Sequence, residues 1–295
     1  MKKHLGSLGL LFTAIIWGSG FAANNIALET MTPLQILCLR FFISAVLMGG
    51  IACKRLKRVG KQEVIAGTIL GVILFAAFTA QTFGLKYTTP SKNAFLTATN
   101  VVIVPFIALL INKKRVDVYS GVGAVMAITG IGILSLRGDF SVSFGDMLTL
   151  ICAFCFAFHI FYTGEFVRKY DGLLLTAIQM LVACLLSFLV MLPADGLDFS
   201  VAGRGLASVI YLGVFATTIA FFLQTMAQKY TTETKAAVIL SMESVFGTLF
   251  SILIVGEKIT VRMVAGCMII LAAVIFGETK PDFIKKRYAE EIKEL

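Results

Sequence analysis

Long apolar runs separated by short polar segments form the main pattern of this 295-residue chain. Each run is about 20 residues long, the length that an α-helix needs to cross the hydrocarbon core of a bilayer. The runs are continuous, whereas the strands of a membrane β-barrel would alternate over about ten residues. The pattern therefore predicts an all-α integral membrane protein with ten transmembrane helices. The predicted spans are residues 5–28, 33–53, 64–85, 92–112, 118–136, 145–167, 172–192, 204–227, 235–255 and 261–278.

Two nearly identical stretches reveal an internal repeat. Residues 86–94 read KYTTPSKNA and residues 229–237 read KYTTETKAA, at an offset of 143 positions. A repeat constrains the architecture before any other feature does. Each copy holds five spans, an odd number, so the second copy must cross the membrane inverted relative to the first. The predicted units are a first five-helix repeat at 5–136 and a second, inverted five-helix repeat at 145–278.

Composition and charge support a bilayer as the solvent. The chain is 58% hydrophobic and 15% charged, whereas a soluble domain carries roughly 25% charged residues. The net charge of +9 does not indicate nucleic-acid binding, because the charges form short clusters between apolar runs and no basic stripe alternates with aromatic residues. With the N-terminus inside, the inner segments hold most of the Lys and Arg residues. Both termini are therefore predicted to be cytoplasmic, in a plasma or inner membrane, with 280–295 as a charged cytoplasmic tail.

Short motifs recur at fixed places in the span pattern and suggest a family. They are Trp17-Gly18 in the first span, Pro33 and Arg40 in the second, Tyr-Thr-Thr-x-x-Lys-x-Ala before the fourth and ninth, and LSMESVF at 240–246 followed by Gly256-Glu257. Together with the five-plus-five arrangement, these motifs resemble the EamA branch of the drug/metabolite transporter superfamily. Ser244 stands where that family usually has proline, which bears on the helix bend expected there.

The resemblance implies a secondary active transporter rather than an enzyme, working by alternating access between the inverted repeats. Its cargo would be a small metabolite, amino-acid-like or another polar or amphipathic solute, with export as one direction. No phosphate-binding loop is present, so the chain does not itself use ATP, and no cofactor is expected beyond a coupling proton. The expected partners are lipid and substrate, and the chain is a monomer or homodimer. Two alternatives stay open: an intramembrane enzyme acting on a lipid-linked substrate, and a non-transporting receptor or subunit.

Charged residues inside the predicted spans mark the strongest candidates for a functional site. A charge at mid-span costs roughly 2.5–3.5 kcal/mol on insertion scales, so such residues usually face an interior or a water-filled cavity. Glu243 lies in the ninth span, and the offset of 143 pairs it with Asn100 in the fourth. Glu243 either binds a substrate amine or a coupling proton, or ties helices together. Arg40 either holds an anionic group or pairs with carbonyls or a carboxylate.

The remaining candidates share a polar or aromatic side chain at membrane depth, and packing or helix–helix hydrogen bonding is the alternative for each. They are Asn93 and Thr97, which form a stripe with Asn100; the repeat mates Gln81 and Gln224; Trp17 and Asn24 in the first span; and His159 and Tyr162 in the sixth.

His159 is also a candidate proton relay, but no second His lies near it, so no metal site is predicted. Lys92 and Lys235, another pair of mates, begin the fourth and ninth spans. They either reach the interface or contact an anionic substrate or the opposing half as a gate. The KYTT threonines are expected to cap the helices that follow.

Overall fold

The computed structural model describes residues 2–113, 118–135, 143–196, 203–258 and 260–279, so the predicted tail lies outside it. The described residues form helices and no β-strand, as the hydropathy pattern predicts. The helices are α1 Lys2–Leu28, α2 Pro33–Leu56, α3 Lys61–Lys86, α4 Pro90–Ala98, α5 Asn100–Asn112, α6 Val118–Ser135, α7 Phe144–Val167, α8 Gly172–Asp195, α9 Gly203–Tyr211, the π-helix π1 Leu212–Ile219, α10 Ala220–Gln228, α11 Glu233–Ser241, α12 Glu243–Phe250, the π-helix π2 Ser251–Val255 and α13 Val261–Thr279.

Eight helical segments are long and apolar enough to cross a membrane, and Val261–Ala273 forms a shorter apolar helix. Three of the eight combine consecutive elements: α4 with α5, α9 with π1 and α10, and α11 with α12 and π2. The predicted fifth span coincides with α6 and the predicted tenth with α13. The eight segments are His4–Leu28, Pro33–Arg55, Lys61–Lys86, Pro90–Asn112, Phe144–Val167, Gly172–Asp195, Gly203–Gln228 and Glu233–Val255.

Side-chain caps fix where several helices begin. Thr89 caps α4 by accepting from the Lys92 N–H, and Thr232 caps α11 by accepting from the Lys235 N–H. The prediction that the KYTT threonines cap the following helices is thus confirmed. Thr32 caps α2 in a reciprocal arrangement with Gln35, which satisfies backbone groups that a helix start leaves unpaired.

The fourth and ninth predicted spans are each interrupted once, which the hydropathy pattern does not predict. The breaks fall at Thr99 and Met242, which are repeat mates at the offset of 143. Serine and threonine hydroxyls pair with the carbonyls near each break: Thr99 Oγ1 donates to the Leu96 carbonyl at 2.6 Å, and Ser244 Oγ donates to the Ser241 carbonyl at 2.8 Å. The break before Ser244 is therefore present without the proline expected from the family pattern.

Glycines allow the central helices to approach closely. A Cβ on Gly18 of α1 would lie 2.5 Å from the Cβ of Phe246 and 2.8 Å from the Gly247 nitrogen of α12. A Cβ on Gly67 of α3 would lie 2.6 Å from the Cβ of Ile178 of α8, so the lack of a side chain there lets these two helices pack closely. By contrast, α6 and α13 pack mainly against each other, at the edge of the described bundle.

Aromatic rings fill the centre, where α1, α2, α3, α7 and α10 meet. The Phe78 ring contacts Phe41 at 5.6 Å, Phe156 at 5.3 Å and Phe221 at 5.7 Å between ring centroids. Trp17 stands 4.9 Å from Phe221. Edge-to-face and tilted ring pairs of this kind hold a core in one arrangement, and polar side chains lie directly beside this cluster.

Candidate functional site

A small cavity of about 30 Å³ lies beside the aromatic cluster. A water molecule needs at least 10–15 Å³ of space, so this volume is enough for about two waters. Apolar side chains form the rest of its wall. The predicted site residues that line it are Trp17, Asn24, Arg40, Gln81, Asn100 and Glu243.

Asn100 and Glu243 reach the cavity from equivalent places, because each is the first residue after a helix break. Glu243 is 4% exposed, and its carboxylate has no hydrogen-bond or ion-pair partner within the described residues. The Asn100 Oδ1 atom also has no partner there. Both side chains stand at the start of a helix segment, where the backbone dipole favours negative charge. The two positions together form a polar pair available to a bound group.

Arg40 contributes a positive charge to the same cavity. Its guanidinium lies 4.0 Å from the centroid of the Phe78 ring, and its Nε donates to Thr217 Oγ1 at 3.0 Å. The side chain is buried, and no acidic partner contacts it in the described part of the chain. Stacking on an aromatic face stabilises a desolvated cation without neutralising it. The cavity wall therefore carries one cation and one carboxylate that are not paired with each other.

Arg40 and Trp17 both donate hydrogen bonds to residues of the π-helix π1. The Trp17 Nε1 donates to the Ala216 carbonyl at 3.0 Å, and Arg40 bonds to the neighbouring Thr217. Thr217 Oγ1 itself donates to the Leu212 carbonyl, five residues earlier. Short π-helical stretches often occur at functional sites. Sequence reasoning missed Thr217, although the polar pair Thr217-Thr218 inside an apolar run was a signal for it.

The predicted polar stripe of span four divides between two environments. Asn100 lines the cavity, whereas Thr97 accepts from Gln81 Nε2 at 3.3 Å and Asn93 Nδ2 donates to Thr149 Oγ1 at 2.8 Å. Asn93 also donates to the Gln81 carbonyl at 3.3 Å. Thr97 and Asn93 thus connect α4 to α3 and α7 beside the cavity and do not line it.

Three further candidates lie away from the cavity. His159 Nε2 stands 2.8 Å from Gln179 Oε1. Tyr162 stacks between the rings of Phe158 and Phe166, at 6.3 and 5.5 Å. Gln224 is fully buried, and neither of its amide atoms has a partner in the described residues. The structure therefore does not bring His159, Tyr162 or Gln224 into contact with the cavity of Glu243.

Polar contacts join the helices at the end of the bundle where α4 begins. Lys92 Nζ lies 2.6 Å from Asp146 Oδ2 of α7, and Asp146 also accepts from Thr88 Oγ1 at 3.1 Å. Glu257 accepts from the backbone N–H and the hydroxyl of Ser91. Lys92 thus contacts the opposing half. Its mate Lys235 is exposed and forms no ion pair in the described residues.

The opposite end of the bundle carries its own ion pairs. Arg168 Nη2 lies 2.6 Å from Glu233 Oε1, and Arg55 Nη1 lies 2.5 Å from Asp171 Oδ2. Burial alone would raise the pKa of Asp171, but the Leu173 N–H and the Arg55 guanidinium outweigh it and hold that pKa below its usual value. Both ends of the bundle therefore carry charged contacts between helices.

Comparison with known proteins identifies the family. The EamA-like transporter family matches the chain twice, over residues 4–136 and 143–277. The chain belongs to the EamA-like transporter family. This membership, with the apolar helices described above, makes the protein a multi-pass membrane protein.

Relatives of this EamA-like transporter cover nearly its whole length. An uncharacterized transporter of Archaeoglobus fulgidus is 33% identical over 93% of this chain and 86% of its own. An uncharacterized transporter of Clostridium kluyveri is 22% identical over 100% of this chain and 97% of its own. A solved crystal structure, 18% identical, covers 92% of this chain and 95% of its own with a TM-score of 0.70. That likeness supports the shared fold of the EamA-like transporter.

Proposed function

We propose that this EamA-like transporter is a secondary active transporter that moves small solutes by alternating access between two inverted five-helix repeats. One observation carries the proposal: Asn100 and Glu243, mates in the repeat, line one central cavity, each directly after a break in its helix. Broken helices that meet at a site on the repeat interface are the usual construction of such transporters.

Helix packing agrees in part with the repeat. α2 packs against α8, α4 against α12, and α6 against α13, so each of these contacts joins elements of matching rank in the two repeats. We take α6 and α13 as the fifth and tenth spans, which gives ten crossings and both termini on one side. The distribution of Lys and Arg favours the cytoplasm for that side of a plasma or inner membrane.

The wall of the cavity favours a small amphipathic cargo. Arg40 offers a cation, Glu243 a carboxylate, and Trp17 and Phe78 apolar faces. An amino-acid-like solute matches this set, because it carries an anionic group, a cationic group and an apolar body. With only about 30 Å³ available, the cavity must widen before such a solute can enter.

Glu243 is the proposed carrier of a coupling proton. An uncompensated carboxylate within a bilayer is unfavourable, so either a proton or a cationic group of the cargo stabilises it. Competition between the two would link cargo movement to a proton gradient. The test is uptake by proteoliposomes of the purified protein, with and without a pH gradient, across a panel of amino acids, nucleosides and sugars. Absence of flux for every solute would contradict the proposal.

The alternative of an intramembrane enzyme gains no support from the geometry. That alternative requires His159 and Glu243 to act together on one substrate. His159 bonds to Gln179 and does not line the cavity that Glu243 lines. No observation in the described residues favours a non-transporting receptor over a transporter.

A further inference from the structure

A second group of buried polar side chains lies apart from the cavity, on α7, α8 and α10. All six are at most 1% exposed. Seven of their polar atoms have no hydrogen-bond partner within the described residues. We call this group the inner polar cluster. Its members are His159, Thr163, Gln179, Gln224, Thr225 and Gln228.

Direct contacts hold the inner polar cluster together. His159 Nε2 lies 2.8 Å from Gln179 Oε1, which joins α7 to α8. Gln228 Nε2 donates to the Ile160 carbonyl at 2.9 Å, which joins α10 to α7. A Cβ on Gly172, at the start of α8, would lie 3.4 Å from Thr225 Cγ2. The three helices therefore meet at the inner polar cluster.

The spacing on α10 places Gln224 on the helix face that carries the inner polar cluster. Phe221, Gln224, Thr225 and Gln228 follow one another at i, i+3, i+4 and i+7, so they share one helix face. The first and last of these contact α7, since the Phe221 ring stands 5.6 Å from the His159 ring and Gln228 bonds to α7. Gln224 and Thr225 lie between these two contacts.

The repeat explains why Gln224 has no partner. Its mate Gln81 donates to Thr97 Oγ1 at 3.3 Å. The position equivalent to Thr97 in the second repeat is Leu240, which offers no hydrogen-bonding atom. Likewise Gln228 corresponds to Leu85 in the first repeat. Thr225 has an equally buried and unpaired mate in Thr82, whereas the unpaired atoms of Gln224 and Gln228 have no counterpart among the described residues of the first repeat.

Water is the occupant that this set of atoms fits. Buried polar groups are unfavourable unless they are hydrogen-bonded, and internal waters commonly supply the missing bonds. The seven atoms mix donors, such as Gln179 Nε2, with acceptors, such as Gln228 Oε1. None of the six side chains is a carboxylate, which disfavours a divalent cation as the occupant.

The Phe221 ring contacts both the inner polar cluster and residues that line the cavity. Phe221 contacts the His159 ring on one side, and Trp17 and Phe78, which line the cavity, on the other. We propose that the inner polar cluster is a hydrated compartment that continues the solute path from the cavity toward the end of the bundle where α10 ends, with Phe221 as the partition between them. The role in the path rests on the proposed transport function, whereas the hydration does not.

Cysteine labelling tests the hydration. In a background with the six native cysteines replaced, Thr225→Cys is compared with Ala183→Cys, which is equally buried on α8 but surrounded by apolar side chains. A small water-soluble methanethiosulfonate should modify Thr225→Cys roughly tenfold or more faster, because thiols react as thiolates and these form only where water enters. Thr163→Cys on α7 is the second probe and should behave like Thr225→Cys. Equal, slow labelling of all three variants would overturn the compartment.

The same variants test the role in the path. Modification of Thr225→Cys should block counterflow of whichever solute the wild type carries, whereas the treated Ala183→Cys variant should keep its flux. Rapid labelling of Thr225→Cys with unchanged flux would show a hydrated compartment that lies outside the path. If the wild type carries no solute, the proposed function fails while the labelling result still decides the hydration.

Discussion

Asn100 and Glu243 are mates in the internal repeat, and each is the first residue after a break in a membrane helix. Both line the same cavity, to which one half contributes an amide and the other half a carboxylate. An amide and a carboxylate, which differ in charge, therefore occupy equivalent positions in the two repeats. The consequences can be tested one at a time.

The Gly18 contact predicts a loss of stability on a one-carbon substitution. Gly18→Ala adds a Cβ that meets the Phe246 Cβ at 2.5 Å and backbone of α12 at 2.8 Å, so the helices must separate. Overpacking of this kind typically costs about 1–3 kcal/mol, which should lower the Tm in detergent. Gly49→Ala is the control, because a Cβ there meets nothing within 4 Å. Equal melting temperatures for the two variants would contradict this packing.

The contacts of Arg40 predict that the planar shape of its guanidinium matters for cargo binding as well as its charge. Arg40→Lys keeps a cation but removes the planar group that stacks on Phe78 and the Nε that bonds to Thr217. We expect roughly tenfold weaker binding of an anionic cargo, about 1.4 kcal/mol, measured by ligand-dependent stabilisation. Thr217→Val, which removes only the hydrogen bond to Arg40, should weaken cargo binding less than Arg40→Lys does. Unchanged affinity in Arg40→Lys would assign Arg40 a role in packing alone.

Lys92 and Lys235 should respond differently to the same substitution. Lys92→Met leaves the fully buried Asp146 carboxylate without its cation, which should lower the free energy of unfolding by about 1–3 kcal/mol, given that the lysine is partly exposed. Lys235→Met removes an exposed lysine without an ion pair among the described residues and should change it by at most about 0.5 kcal/mol. Thermal or denaturant unfolding of both variants measures the difference. Similar losses would show that the ion pair is not stabilising.

The lowered pKa of Asp171 predicts that protonation of its carboxylate in acid lowers the stability of the protein. Its pKa is lower in the folded state than in the unfolded state, so its stabilising effect is present above the unfolded value of about 3.9 and is lost as the pH falls through the folded value. Asp171→Asn should therefore flatten the decline in Tm below about pH 4. Glu29→Gln, at an exposed helix end, is the control and should keep the decline. A wild-type profile in Asp171→Asn would contradict the account.

Hydropathy and the repeat were sufficient to predict the helices and the central pair. Apolar runs of membrane length leave an α-helix as the simplest structure that satisfies the backbone, and the offset of 143 related Glu243 to Asn100 without any structural information. The threonine caps followed from the local chemistry of KYTT. These features depend on residues close in sequence or on an exact repeat, which is why one chain is enough to find them.

Other features could not be predicted because they depend on partners distant in sequence. Residues around Thr99 and Met242 contain no Gly or Pro that would signal a break. Asp146 contacts Lys92, and Gln179 contacts His159, only after the helices pack. The stripe of Asn93, Thr97 and Asn100 shares one helix face, yet only Asn100 reaches the cavity, because neighbouring helices supply partners to the other two.

Cargo uptake by proteoliposomes that contain wild-type protein or Glu243→Gln, with and without a pH gradient, tests the coupling role of Glu243 most directly. The gradient should accelerate uptake by the wild type and not by Glu243→Gln, while the variant should still exchange cargo in counterflow. Glu29→Gln should match the wild type. Gradient-driven uptake that is unchanged in Glu243→Gln would contradict the assignment of the coupling proton to the cavity that Asn100 and Glu243 share.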